Sequence, residues 1–422
     1  MADSNTWIVS GLRTPFTKVD GGLAKYDAIA MSVPVVQAMD KQVKDGKIDV
    51  AVWGTVAGNL TWSNIAREVL QDAGLDPTIP AFSTVMACST SAAAAIQAAG
   101  LIAAGNADLA LAGGVESMSR VQIGITQSLS DWLRRLSQAR TMKDRVALVS
   151  QLPLKDLGLY IPSVANRTTG KSMGEHTEEM AKEWKIDRID QDEIALASHH
   201  RAVEGYEKGF FQDLIVPVDG VDKDAFPRPD TSLARLSKLK PVFDRKSGSL
   251  TAGNSSPLTD GAAGVWVASD AGLERLDPSL PRVKLVDWEL AGVDIHNEGL
   301  LMAPGYALPR LLDRNGLTYD DVGLFEVHEA FAAQVLSNVE AWNSPTFLKE
   351  KAGVETDLGK FPLERMNPNG GSIAIGHPFG ATGARILSQA TKELAGMPSG
   401  TRAVVSICAD GGLGTVLLLE NP

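Results

Sequence analysis

Short apolar runs alternate with segments rich in small residues at both ends of the chain. Residues 6–9, Val50–Gly54, 81–85 and 109–113 read as strands, because four or five consecutive, mostly apolar residues bounded by turn formers suit a strand buried on both faces. Between them, 63–74 and 89–105 read as helices. The carboxyl-terminal third repeats the rhythm. Leu324–Val327 is strand-like, 331–342 and 383–394 are helical, and 403–407 with 415–419 form an apolar hairpin around Asp410, Gly411 and Gly412. This β-α-β alternation predicts a layered α/β fold. Cys88 and His377 each precede a small-residue helix that leads to an apolar strand, a pattern consistent with an internal duplication.

Between the two repeats, roughly residues 121–250, the pattern changes to charge-rich helices and proline-containing loops, which reads as an insertion. Asp190, Gln191, Asp192 and Glu193 have the form of a capping box opening a helix through Tyr206, and 226–230 is a turn-rich connection. Leu129, Trp132, Leu133 and Leu136, then Met142, Val146 and Val149, recur at helical spacing among Arg134, Arg135, Arg140, Lys143 and Arg145. Such a basic amphipathic helix pair either packs its stripe on its own protein or presents a docking face to a partner or a membrane surface. The division expected is 1–120 with 250–275 as one half, 121–249 as a loop domain, and 276–422 as the other half.

Composition narrows the function. A chain of 422 residues is long enough for two or three domains. Its net charge of -11 argues against a nucleic-acid partner, so a phosphate-bearing ligand must be held by a local basic cluster. Two cysteines cannot build a disulfide framework and fit a reducing compartment. Residues 1–5 show no basic region followed by an apolar core, and a cytoplasmic location is expected. The uncharged stretch 79–107 is Ala/Ser/Gly-rich and contains Pro80, which predicts a buried helix rather than a membrane span.

Both cysteines and two of the six histidines sit among small residues: Cys88, His328, His377 and Cys408. Glycine and alanine let backbone N–H groups and a bulky ligand approach closely. Cys88 sits just before a helix, whose amino-terminal partial charge favours a thiolate; a buried inert cysteine is the plain alternative. His377 lies in a Gly-His-Pro-x-Gly turn and His328 follows an apolar strand, where each is either a cleft residue or a satisfied structural histidine. Cys408 ends a strand ahead of Asp410-Gly411-Gly412, a turn suited to free backbone N–H groups.

In these segments, in 251–263, and in 370–378, the chain resembles a thiolase over essentially its full length. Many thiolases carry asparagine at the position of His328. The histidine form, together with 140–145 and 240–246, resembles the thiolase subunit of fatty-acid-oxidation trifunctional enzymes. The resemblance implies a duplicated five-layer α-β-α-β-α fold with the inserted helical loop domain covering a coenzyme A site. It implies that His377 takes the proton of Cys88, whose thiolate attacks 3-oxoacyl-CoA, that Cys408 protonates the departing acetyl-CoA enolate, and that His328 and His377 hold its thioester oxygen. Coenzyme A is then a substrate, and no cofactor or metal is needed.

A second oxyanion site is implied at the backbone N–H groups of Cys88 and Asp410, where many relatives have Gly or Ala in place of Asp410. An unpaired carboxylate there would oppose developing negative charge. The same resemblance places Ser256 on the pantetheine, Met173 and Phe331 at the acyl-thioester pocket, and Lys240, Arg245 and Lys246 near the phosphates. Where relatives often have His before that Met, this chain has Ser172. His176, His199, His200 and His296 are assigned no catalytic work. A homodimer or tetramer is implied, with a hydratase/hydroxyacyl-CoA dehydrogenase partner or peripheral membrane contact through 129–149. The rival readings are a biosynthetic acetoacetyl-CoA-forming thiolase, a decarboxylating ketoacyl synthase and a non-catalytic lipid-binding or assembly subunit.

Overall fold

The computed structural model describes residues 5–160 and 162–422; residues 1–4, part of the segment read as lacking a leader, lie outside it. In chain order the strands are β1 (Trp7–Val9), β2 (Thr17–Lys18), β3 (Val50–Gly54), β4 (Ala81–Phe82), β5 (Leu109–Glu116), β6 (Gly124–Ile125), β7 (Leu159–Tyr160), β8 (Thr259–Ala268), β9 (Arg282–Gly292), β10 (Leu324–Val327), β11 (Arg402–Ala409) and β12 (Leu413–Glu420). One sheet runs β10-β11-β12-β9-β1-β8-β5-β3-β4, with β2 added on β8. Its two ends repeat one arrangement. β3 is parallel to β5 and β5 antiparallel to β8, just as β10 is parallel to β11 and β11 antiparallel to β12. β1 bridges the repeats, pairing antiparallel with both β8 and β9.

The apolar runs form strands because both faces are covered: every residue of β3, β5, β8 and β10 is buried. The strand expected over 81–85 stops at Phe82. Beyond it the chain leaves the sheet edge and turns, and Met86 N–H donates to Thr90 Oγ1 at 2.9 Å instead of to a ladder partner.

The helices Thr90–Ala103 and Thr382–Ala395 are the centre of the molecule. They pack side by side in a core that includes Ala92, Ile96, Ala99, Ala384, Leu387 and Ala390. A Cβ on Gly383 would lie 2.4 Å from the Ala92 nitrogen, so glycine is what allows this approach. Ala384 N–H donates to Ser91 Oγ at 2.8 Å across the same contact.

The middle segment divides by packing. Helices Met173–Glu183 and Arg188–Glu207 join the body: Met180 and Ala181 share a core with Leu301 and Phe331, and Ala202 packs with the central helices. Arg13 and Asp224, both buried, form a two-point ion pair at 2.6 and 2.7 Å that fastens the end of this segment to the first half. The second helix begins at Arg188 with Asp187 as its cap, ahead of the expected 190–193 box. Gln191 and Asp192 face inward instead; Asp192 accepts from Arg188 Nε at 2.9 Å and from Asn254 Nδ2 at 3.1 Å.

The β6–β7 ribbon carries the outer pair, Gln127–Gln138 and Met142–Val149. Trp132 is buried between them and donates its indole N–H to Leu148 O at 2.7 Å. Leu129 and Leu136 are half-buried, and the rest of the stripe is uncovered, with Met142 71 % and Val146 65 % exposed. Among the described residues no helix is long and apolar enough to cross a membrane.

Gly383→Ala is expected to lose about 1–3 kcal/mol in denaturant unfolding, because backbone must move to admit the methyl. Gly100→Ala, in the neighbouring helix with open space at its Cβ, should instead be stabilised by about 0.5–1 kcal/mol.

Candidate active site

Cys88 sits in a 3-10 turn, Ala87–Ser89, that opens into the helix Thr90–Ala103. Ala87 has φ +45°, a left-handed conformation that costs a non-glycine residue about 1–3 kcal/mol and persists only when its surroundings enforce it. Thr90 enforces it, its hydroxyl donating to Ala87 O at 2.8 Å while accepting from Met86 N–H. The result points the Cys88 sulfur at His377, 3.2 Å from Nε2.

His377 is fixed at three atoms. Its N–H donates to Thr259 Oγ1 at 3.0 Å, and its Nδ1 lies 2.7 Å from Thr382 Oγ1. Thr382 gives its own hydroxyl proton to Pro378 O, 3.2 Å away. The hydroxyl therefore accepts from Nδ1–H, and Nε2 is left with a lone pair directed at the thiol. The following turn is held by Glu116, which accepts from Gly380 N–H and also from Val56 and Ala57 N–H.

His328 follows β10, its N–H bound to Ser406 O at 2.8 Å. The ring is fully buried, its centroid 4.2 Å from that of His377, and its Nε2 has no partner. Ligand atoms of Cys88, His328 and His377 all lie within 4.8 Å of one another, the one such grouping of metal-ligand types among the described residues. The Cys88–His377 hydrogen bond within it is the geometry of a nucleophile and its base.

A cavity of about 560 Å³ opens on Cys88 and His377 and is lined also by Cys408, Asp410, Ser256, Met173 and Phe331, while His328, fully buried, lies beside His377 and does not itself line it. Lys240, Arg245 and Lys246, expected at the phosphates, are exposed and line neither this cavity nor the one beside it. The neighbouring cavity shares Pro257 and holds different cations, Arg228 and Arg235, with His199. Sequence reasoning missed these arginines because Arg228 sits in the turn-rich connection and Arg235 in the short helix Leu233–Leu236 after it, where it pairs with Asp230, rather than in a charge run.

The helix amino terminus does not make Cys88 a resting thiolate. Although Cys88 keeps partial exposure to the cavity, burial of its thiol pushes it up to about 12; the backbone N–H groups of Asp410 and Cys88 oppose this, and the charges of Asp410 and Glu116 add to it. Burial pushes His377 down to about 3, helped by the charge of Arg385. Burial also holds Cys408 well above the usual thiol range, and the neighbouring Cys88 adds to that. Both shifts favour a neutral thiol hydrogen-bonded to a neutral imidazole over a resting thiolate–imidazolium pair.

The Asp410 carboxylate is paired rather than free: Oδ1 accepts from Asn166 Nδ2 at 2.8 Å and from Gly411 N–H at 2.7 Å. Asn166 Oδ1 in turn receives Thr168 and Thr169 N–H, so Asp410 ties down the loop whose residues 162–165 wall the cavity. His176, buried nearby, is occupied by Thr169 Oγ1 at 2.7 Å.

Residues 6–271 match the family described as "Thiolase, N-terminal domain", and residues 280–421 match "Thiolase, C-terminal domain". The chain is 38% identical over 421 residues to the 3-ketoacyl-CoA thiolase of Yersinia enterocolitica serotype O:8 / biotype 1B, covering 98% of this chain and 96% of that protein. It is 39% identical over 422 residues, with the same coverage, to that of Yersinia pestis strain Pestoides F. The crystal structure of the Bacillus anthracis acetyl-CoA acetyltransferase superposes with a TM-score of 0.79 at 29% identity, covering 99% of this chain and 98% of that one.

In Cys408→Ala protein, ultraviolet thiolate absorbance from Cys88 should stay absent at neutral pH and rise only in strongly alkaline solution, since the raised thiol loses its proton only as pH approaches about 12. A plateau at neutral pH would mean a resting ion pair. Asp410→Ala and Asn166→Ala should each raise the KM for an acyl-CoA by about threefold to tenfold, in keeping with the net worth of one ordinary hydrogen bond, and the double variant no further. Steady-state kinetics on the three variants checks this.

Proposed function

The chain belongs to the thiolase family, and from that premise we propose that it is an acetyl-CoA C-acyltransferase, cleaving 3-oxoacyl-CoA with coenzyme A in fatty-acid β-oxidation. The observation that carries this reading is the 3.2 Å contact between Cys88 and His377 on the wall of a cavity that also presents Cys408.

The steps follow from the placement of the protons. Cys88 passes its proton to His377 Nε2 as sulfur attacks the 3-keto carbon. The bond between C2 and C3 breaks, its electron pair leaving as the enolate of acetyl-CoA. Cys408 protonates C2, while His328 and the now protonated His377 donate hydrogen bonds to the thioester oxygen. A second coenzyme A then loses its thiol proton to the Cys408 thiolate and attacks the acyl group on Cys88. The departing Cys88 recovers its proton from His377, and the centre returns to its starting state.

Neutral resting groups suit this sequence, because charge appears only when substrate has excluded water and donors surround it. The backbone N–H groups of Cys88 and Asp410 form the second oxyanion site, for the tetrahedral species on Cys88. Ser256, Met173 and Phe331 contact the pantetheine and acyl thioester, and Arg228, with Arg235 beside its partner Asp230, supplies cations for the phosphates from the neighbouring cavity. Lys240, Arg245 and Lys246 then act at most through the outer field. Coenzyme A is a substrate, and the scheme uses no resident cofactor or metal. The protein works as a homodimer or tetramer in the cytoplasm, and the uncovered face over 129–149 takes a hydratase/hydroxyacyl-CoA dehydrogenase subunit.

Intact mass analysis after mixing with a 3-oxoacyl-CoA should show one acyl adduct that Cys88→Ala abolishes, and Cys408→Ala should lower turnover by at least about a hundredfold. Consumption of malonyl-CoA with carbon dioxide release, and no coenzyme A-dependent loss of 3-oxoacyl-CoA, would sink the reading.

A further inference from the structure

Two imidazoles with ring centroids 4.2 Å apart have opposite duties under the reading above: His377 takes a proton and His328 gives a hydrogen bond. A neutral ring carries one proton on two nitrogens, so each duty requires a particular tautomer. For His377 the Thr382 hydroxyl sets it, as described. His328 has a different neighbour, Ser372, whose Oγ lies 2.7 Å from Nδ1.

Ser372 has a second partner. Arg385, 1 % exposed in the central helix, donates from Nη2 to Ser372 Oγ at 2.6 Å. A guanidinium has no lone pair to accept with, so the serine oxygen is the acceptor in that contact. Its own hydroxyl proton is then free for His328 Nδ1, the other polar atom within hydrogen-bond reach of Oγ among the described residues. An Nδ1 that accepts carries no proton. The proton sits on Nε2, the buried atom with no protein partner.

We propose that Ser372 and Arg385 are positioning residues that lock His328 in the Nε2–H tautomer, making it a hydrogen-bond donor to the substrate's thioester oxygen rather than a second base. The inference rests on the proposed thiolysis and deepens it. Its electrostatics agree with the geometry. Burial, with the charges of His377 and Arg385, holds His328 well below the usual imidazole range, so the ring stays neutral and its tautomer matters. Burial lowers Arg385 to about 10, with Glu326 opposing, so it remains a charged donor at neutral pH. The two hydroxyls act in opposite senses. Thr382 hands its proton to a carbonyl and accepts from one ring; Ser372 accepts from a cation and donates to the other.

Nitrogen-15 NMR of the full chain labelled at histidine, with His328 assigned by its Asn variant, reads the tautomer without substrate. The expected spectrum has His328 Nδ1 unprotonated and Nε2 as N–H. In Ser372→Ala both tautomers should appear, and kcat for thiolysis should fall at least about tenfold with KM within about twofold, consistent with a lost oxyanion donor. Ser372→Thr, which keeps the hydroxyl, should restore both. In a His328→Asn background, where an amide N–H needs no tautomer, Ser372→Ala should cost less than about twofold.

Nδ1–H in the wild-type chain, or an equal loss from Ser372→Ala in both backgrounds, would overturn the proposal. The two readings fail separately. Nε2–H in a chain that does not cleave 3-oxoacyl-CoA removes the reaction and leaves the relay, whereas Nδ1–H in an active chain removes the relay and leaves the reaction.

Discussion

The close approach of two helices, one from each repeat, is the contact on which the rest of the molecule depends. Gly383 lies against the Ala92 backbone, and Ser91 receives the Ala384 N–H. Cys88 is four residues before Ala92, and His377 is six before Gly383. The separation of the helices therefore sets the separation of sulfur and imidazole. A catalytic hydrogen bond needs tenths of an ångström, and backbone packing supplies that precision more firmly than a loop could. The sheet contributes by repeating its arrangement at both ends, so each helix has the same support beneath it.

Packing this tight leaves little water, and dryness determines the ionisation of the centre. Burial is the leading influence on Cys88, His328, His377 and Cys408 alike, and each is driven toward its neutral form. Neutrality transfers the burden of specificity from charge to proton position. Hydroxyl groups of Thr382 and Ser372 occupy that role, one beside each ring. The strained Ala87 fits the same economy of motion: the turn is already in place before anything binds.

Much of this was legible in the sequence, for a physical reason. Close backbone approach requires small residues, and runs of glycine and alanine around Cys88, His328, His377 and Cys408 leave a compositional trace. Strands buried on both faces leave apolar runs, which is why β3 and β10 were readable to the residue. Features set by distant contacts left no such trace. Ser372 and Arg385 are 44 and 57 residues beyond His328; Ser372 lies in the recognisable 370–378 segment, but nothing in the sequence says that it and Arg385 meet the His328 ring. Asp192 looked like part of a cap because its tertiary partner, Asn254, lies 62 residues on. Lys240, Arg245 and Lys246 drew attention as a cluster of charge, yet clustered charge is what a solvated surface looks like; Arg228 lines a cavity from a segment notable only for its prolines and turns, and Arg235 from the short helix after it.

The β6–β7 ribbon has one further implication. Met118, Val121 and Ile123 enter the ribbon from the cavity wall, and residues 162–165 belong to that same wall beyond its far strand. The outer helices thus stand at the tip of a lever whose base forms part of the cavity wall. A contact at the tip that shifted the wall would, by thermodynamic reciprocity, have its own strength altered by the same factor when the cavity fills. Cavity wall and helix tip are in that sense two ends of one mechanical element.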